Sequence, residues 1–208
     1  MRHEPAGSSE RVAALAVRYR DHGVVAFDLA GAEKGHPPGD HASALRIARA
    51  GGLALTIHAG EADEGARVLE AVRLGATRIG HGVRLADLLG TPAGDAAVAE
   101  LAERGVHLEV CPTSNVHTGA AASIAAHPIT ALWRAGVSLS FQTDNRLMSQ
   151  ITHSGEAAVL LHETPLSMAD LLRMQIEAAS HSFLQASTRE AARTTLLGWA
   201  TRHGIAVH

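Results

Sequence analysis

A single cysteine, Cys111, in 208 residues rules out an intrachain disulfide and gives no sign of a secreted, disulfide-stapled scaffold. No apolar run approaches the roughly 20 residues that a bilayer crossing requires. Residues 1–9 are polar and contain Pro5 and Gly7, unlike a secretory leader. The expected address is therefore the cytoplasm, with no membrane partner. Lysine is nearly absent (Lys34 alone), and the arginines that carry the basic charge are scattered over a chain of net charge -3. That pattern lacks the basic stripe a phosphate backbone calls for, so nucleic acid is not an expected partner. No Pro/Ser-rich linker, composition shift or short-period repeat divides the chain, and one domain over 1–208 is expected.

What is present fits a soluble globular chain: 46% hydrophobic and 19% charged residues, enough to bury a sizeable core. Short apolar runs ending in polar residues alternate with Ala/Leu/Arg/Glu stretches of helical period. The runs Val24–Leu29, Leu53–His58, Arg78–Gly80, Val106–Val110 and Val137–Phe141 read as strands. Helices are expected over Glu10–His22, Asp40–Ala50, Gly65–Leu74, Asp95–Arg104 and Pro128–Ala135, with Gly23, Gly51, Gly75, Gly105 and Gly136 as their stops. From about Glu156 the pattern is helical only. Ser167-Met-Ala-Asp170 reads as a capping box, and a last helix is expected from Ser187 to about Arg202. Strands alternating with helices imply an α/β fold with parallel strands.

Parallel strands place their C-terminal ends on one side, where α/β proteins build their sites. Polar residues gather at those ends: Asp28 and Gly31, His58 and Glu61, His81, Glu109 to Asn115, then Thr143, Asp144 and Asn145. Of the 14 histidines, His36, His41, His153, His162 and His203 sit in polar or helical surroundings and read as solvated or packing residues.

Each motif has a plain alternative when taken singly. His58-Ala-Gly-Glu61 can offer an imidazole to a metal with a carboxyl in the same cavity, or simply end a strand. Arg78-Ile-Gly-His-Gly82 exposes His81 between two glycines, or is a turn histidine. Asp144 can be a metal ligand or a helix cap. Two histidines, a glutamate and an aspartate on one rim favour metal-assisted hydrolysis over these alternatives. Cys111, ahead of a proline, reads as a small buried residue rather than a nucleophile. Gly-rich phosphate loops are missing, as is the His-x-Glu and Pro-Cys-x-x-Cys signature of the cytidine-deaminase class.

Five ordered segments carry a more specific likeness: Asp28-Leu-Ala-Gly31-Ala-Glu33, His58-Ala-Gly-Glu61, Gly80-His81-Gly82, Cys111-Pro-Thr-Ser-Asn115 and Thr143-Asp144-Asn145-Arg-Leu-Met-Ser149. Together they resemble the motifs of the adenosine deaminase family, in a form like that of its bacterial, particularly actinobacterial, members. The resemblance implies an eight-stranded (β/α) barrel with one zinc at its C-terminal mouth. By motif match His58 and Asp144 correspond to zinc ligands, and Glu61 to the acid that protonates purine N1. His81 corresponds to the residue that orients and deprotonates the attacking water, while Gly31 and Asn145 match purine contacts, the latter at N7. The implied reaction is hydrolytic deamination of adenosine, and of 2'-deoxyadenosine, to inosine and ammonia in purine salvage, with an uncharged purine nucleoside as the small-molecule partner.

Two departures accompany the likeness. Many relatives carry aspartate where this chain has Asn145. An aspartate donates to N7 only when protonated, whereas an amide NH2 donates at any pH. The family's His-x-His segment, which supplies two further zinc ligands on the first barrel strand, is not found in these residues. Met1-Arg-His3 resembles the end of the third strand, so the expected architecture is a partial barrel, about strands 4–8 with a helical C-terminal tail. With two protein ligands in place of the usual three, the chain alone is expected to hold zinc weakly, to turn over slowly or not at all, and to self-associate through open barrel edges. An inactive remnant with an interaction role, or a deaminase of another adenine derivative, stays open beside the nucleoside reading.

Overall fold

The computed structural model describes residues 2–207. It contains β1 (Ala26–Leu29), β2 (Ala54–Ala59), β3 (Arg78–His81), β4 (His107–Val110) and β5 (Leu139–Phe141), which form one five-stranded sheet in the order β1-β2-β3-β4-β5. Sequential order without crossover is what right-handed βα units produce when each strand is laid beside the last. The fold is α/β and resembles a partial (β/α) barrel, as expected. The chain divides into two compact units, Met1–Leu108 and Glu109–His208, with the boundary inside β4.

The first unit holds α1 (Ala6–Arg18), α2 (Ala42–Ala50), α3 (Ala66–Arg73) and α4 (Pro92–Glu103). β1 runs parallel to β2, and β2 parallel to β3, in a register that sets His58 opposite Gly80 and Ala59 opposite His81. Leu55, Ile57 and Ala59 on β2 are fully buried, as is Ile79 on β3. Strands covered on both faces read as such near-continuous apolar runs. Each helix turns small or branched apolar residues inward: Ala44, Leu45 and Ala48 on α2, then Val68, Ala71 and Val72 on α3. Burying each large aliphatic side chain contributes about 1.5–3 kcal/mol.

The second unit holds α5 (Pro112–His117), α6 (Ile129–Arg134), α7 (Arg146–Ser149), α8 (His153–Glu163), α9 (Met168–His181) and α10 (Ala186–Arg202). α9 opens on the expected capping box: the Asp170 N–H donates to Ser167 Oγ at 3.1 Å, and the Ser167 N–H to Asp170 Oδ2 at 2.8 Å. Burial raises the Asp170 carboxyl, but the Ser167 hydroxyl and amide and the Trp133 indole outweigh it and hold the group below its ordinary range. Leu172, Ile176 and Ala200 bury a seam between α9 and α10.

Strand positions follow the sequence reading closely, while some helix limits move. α1 starts at Ala6 rather than Glu10, because Pro5, with φ -56°, fits the position just ahead of a helix. Arg2 and His3 form a turn, and Met1 lies outside the described residues. α5 and α7 are additional short helices. Pro112 at the first position of α5 is a start signal that the Cys-Pro-Thr-Ser run already contained.

One register pair sets the local geometry. A Cβ on residue 80 would lie 2.7 Å from His58 Cδ2 and 2.9 Å from its Cγ. Carbon atoms prefer about 3.5–4.0 Å, so the imidazole occupies space that only glycine leaves open. Gly80→Ala is expected to cost about 1–3 kcal/mol in urea unfolding and to change the His58 ring environment in a histidine NMR spectrum. Unchanged stability with an unchanged spectrum would mean that the ring does not pack against residue 80.

Candidate active site

In the first unit the C-terminal ends of β2 and β3 bring three of the expected residues together. His58 and His81 have ring centroids 5.1 Å apart in an edge-on arrangement. His81 Nε2 lies 3.4 Å from Glu61 Oε2, and His58 Nε2 lies 3.6 Å from Asp28 Oδ2. His81 is buried, with its side chain 4% exposed against 17% for Glu61 and 27% for His58. The cluster is thus graded from a sheltered imidazole and carboxyl to a more accessible imidazole.

Backbone strain marks the same place. Among the described residues the non-glycine positive φ angles fall at His81 (65°), Asp144 (52°) and Gln150 (50°). A left-handed conformation at such residues costs on the order of 1–3 kcal/mol and persists only where the surroundings enforce it. Two of these positions are candidates from the sequence. Gly31 has φ +117°, and a Cβ there would sit 3.3 Å from the Arg2 backbone nitrogen. A side chain is disfavoured twice over, which leaves the backbone of residue 31 bare.

Two buried charged side chains support the segment that follows His58. The Arg2 guanidinium donates through Nη1 to the His58 carbonyl at 2.5 Å and through Nε to the His36 carbonyl at 2.8 Å. His41 Nε2–H donates to the Arg2 carbonyl at 2.8 Å, which identifies His41 as a packing histidine. Burial pushes the Arg2 guanidinium below its ordinary value, with the Glu33 carboxylate the largest opposing influence. Glu33 is 4% exposed, and its Oε2 accepts the backbone N–H groups of Glu61, Ala62 and Asp63, each at 3.0 Å. Burial raises the Asp63 carboxyl, but the Glu64 amide and the Arg67 guanidinium outweigh this and leave it below its ordinary range.

In the second unit Asp144 and Asn145 follow β5. Ser114 Oγ donates to Asp144 Oδ2 at 2.6 Å. The cap of α7 is Asn145, whose Oδ1 accepts the Met148 N–H at 3.1 Å. The cap position is thus held by its neighbour, and the Asp144 carboxylate accepts the Ser114 hydroxyl. With Asn145 Oδ1 turned to the backbone, its NH2 is the end directed away from the helix. Asn115 is fully buried, and its Oδ1 accepts from His127 Nε2–H at 3.3 Å while His127 Nδ1 accepts the Ile129 N–H at 3.0 Å. Cys111 is buried, as expected of a small apolar cysteine.

The first unit therefore brings His58, Glu61 and His81 together and carries Gly31 after β1, and the second holds Asp144 and Asn145. An imidazole and a carboxylate in hydrogen-bond proximity can exchange a proton, and His58 and Asp144 carry donor types that zinc accepts. Three supporting residues had no place in the candidate list: Arg2, Glu33 and Ser114. Glu33 and Ser114 stand inside the segments Asp28-Leu-Ala-Gly-Ala-Glu33 and Cys111-Pro-Thr-Ser114, which is the one signal that pointed to them.

The adenosine deaminase family model matches residues 1–198. An adenosine deaminase of Mycobacterium sp. (strain JLS) is 44% identical over 190 residues, covering 88% of this chain and 52% of that protein. The chain thus spans about half the length of the curated relatives it matches. An adenine deaminase from Arthrobacter aurescens shares the fold at TM-score 0.86 and 23% identity, over 96% of this chain and 59% of that one. An amidohydrolase from Burkholderia ambifaria, solved with bound Zn, does so at TM-score 0.83 and 22% identity, over 97% of this chain and 55% of the other. With the motif residues clustered at the strand ends and the family model matched over nearly the whole chain, the protein belongs to the adenosine deaminase family.

Proposed function

We propose that the site serves zinc-dependent hydrolytic deamination of adenosine and 2'-deoxyadenosine, giving inosine or deoxyinosine and ammonia, as in purine salvage. The observation that carries this reading is the His81–Glu61 approach of 3.4 Å beside the His58 ring, at the ends of adjacent strands. That arrangement provides one group to give a proton to the purine and another to take one from the incoming water.

The donor set suits zinc in kind. His58 offers an imidazole with a partly accessible edge, and Asp144 a carboxylate oriented by Ser114. Bound there, zinc would supply Lewis acidity that lowers the pKa of a water molecule from 15.7 toward roughly 7. His58 and Asp144 are two such donors, where a catalytic zinc usually has three protein ligands.

The chain's own residues divide the remaining work. Glu61, in its protonated form, delivers a proton to N1 and removes the penalty of placing negative charge on the ring as C6 is attacked. His81 is oriented by Glu61 and accepts a proton from water. Its strained backbone fixes the direction from which the imidazole approaches. The bare backbone at Gly31 lets a flat base come close, and the Asn145 NH2 donates to N7. Water adds at C6 as its proton passes to His81; the C6–N bond then breaks, the amino group leaving as ammonia with the proton held by His81 while the C6 hydroxyl proton returns to Glu61. The scattered arginines and the lack of a basic cluster favour an uncharged nucleoside over a phosphorylated one.

Zinc-saturated chain offered adenosine, 2'-deoxyadenosine, adenine and AMP is expected to deaminate the two nucleosides, slowly, by ultraviolet absorbance. Glu61→Gln should lower the rate about 10²–10⁴-fold. No deamination of any of the four by the zinc-saturated chain, or an undiminished rate in the variant, would overturn the reading. Asn145→Asp is expected to narrow the pH–rate profile on the alkaline side, because the new carboxyl donates to N7 only while protonated. A superimposable profile would remove Asn145 from the purine contact.

A further inference from the structure

The Glu61 segment is held from both ends by buried charge, and neither charged group has a role in the chemistry proposed above. Glu33 Oε2 gathers three consecutive N–H groups, those of Glu61, Ala62 and Asp63, each at 3.0 Å. Three successive amides converging on one carboxylate oxygen form an anion-binding concavity, here filled by a side chain from 28 residues earlier. Its other oxygen, Oε1, is buried with no hydrogen-bond partner among the described residues. A buried carboxylate with an unsatisfied oxygen is costly to keep, so its retention calls for a function that an apolar residue would not perform. On the other side of the segment, the Arg2 guanidinium fixes the His58 carbonyl at 2.5 Å. The Glu33 carboxylate is also the largest influence sustaining the Arg2 charge against burial.

We propose that Glu33, seconded by Arg2, is the positioning residue of this site: two buried side chains of opposite charge, each bonded to backbone, set where the His58 imidazole and the Glu61 carboxyl stand relative to His81. The proposal rests on the reading of Glu61 as the proton donor. Glu33 touches no reacting atom. It acts by fixing the peptide groups from which Glu61 springs, and a displacement of about 1 Å at such a group can cost on the order of 10²-fold in rate.

The test compares Glu33→Gln and Glu33→Ala with the parent chain through two readouts. The first is amide hydrogen exchange at Glu61, Ala62 and Asp63, referenced to Ile57 and Ile79 in β2 and β3. Glu33→Ala should speed exchange at the three turn amides about tenfold or more while leaving the two reference amides unchanged. Glu33→Gln keeps one acceptor oxygen and should restore part of the protection. The second readout is zinc-loaded adenosine turnover, where kcat should fall about 10–100-fold in Glu33→Ala with KM within about threefold, and recover in part in Glu33→Gln. Unchanged exchange at the turn overturns the proposal. So does acceleration spread equally to Ile57 and Ile79, which would make Glu33 a general stability residue, and so does local acceleration with undiminished turnover. If the parent chain shows no turnover, the exchange comparison alone decides on Glu33, and the missing activity counts against the deaminase reading instead.

Discussion

The site turns on the close approach of the His58 imidazole to the backbone of β3 at Gly80. Parallel pairing puts these two residues opposite one another, and the ring occupies the volume where any other residue at 80 would carry its Cβ. His81 follows immediately, in a left-handed conformation, which swings its imidazole to within 5.1 Å of the His58 ring. A register shift by one residue would send His58 to the opposite face of the sheet and dissolve the cluster. The fully buried aliphatic residues Leu55, Ile57 and Ile79 hold that register, since slipping would expose them together.

Electrostatic support is added to this frame from residues remote in sequence. Arg2 binds a carbonyl at the end of β2, Glu33 binds the amides of the next turn, and in the second unit Ser114 engages the Asp144 carboxylate. Bonds to ionised groups in sheltered places are stronger than neutral ones and more demanding in geometry. In each unit a buried polar residue remote in sequence thus fixes a peptide or carboxylate near a strand end, Arg2 and Glu33 in the first and Ser114 in the second. Two of the three strained residues among the described ones lie beside these supports. His81 faces the Glu61 turn, and Asp144 receives the Ser114 hydroxyl.

Much of this was legible in the sequence because it is local. Five strands, the helices between them, the Ser167–Asp170 capping box and the glycines around His81 announce themselves through period, propensity and turn chemistry within a few residues. The supporting residues did not, since their partners lie far away. Glu33 acts across 28 to 30 residues, Ser114 across 30, and Arg2 across 56. A buried glutamate also runs against the expectation that carboxylates face water, so composition offers no hint of it. The sequence suggested Asp144 as a possible cap, whereas the bond from the Met148 amide gives that position to Asn145, which no local signal had singled out for it.

Family membership and the clustered His58, Glu61 and His81 support the account proposed above, in which Glu61 and His81 carry the proton transfers and His58 and Asp144 are zinc ligands. Zinc binding to the purified 208-residue chain, measured by competition with a chromophoric chelator, tests this most directly. The account predicts weak zinc binding whose affinity falls about 10–100-fold further in Asp144→Ala and in His58→Ala, and is unaffected in Glu61→Gln. Tight stoichiometric zinc that survives dialysis, or binding indifferent to substitution at both His58 and Asp144, would contradict it.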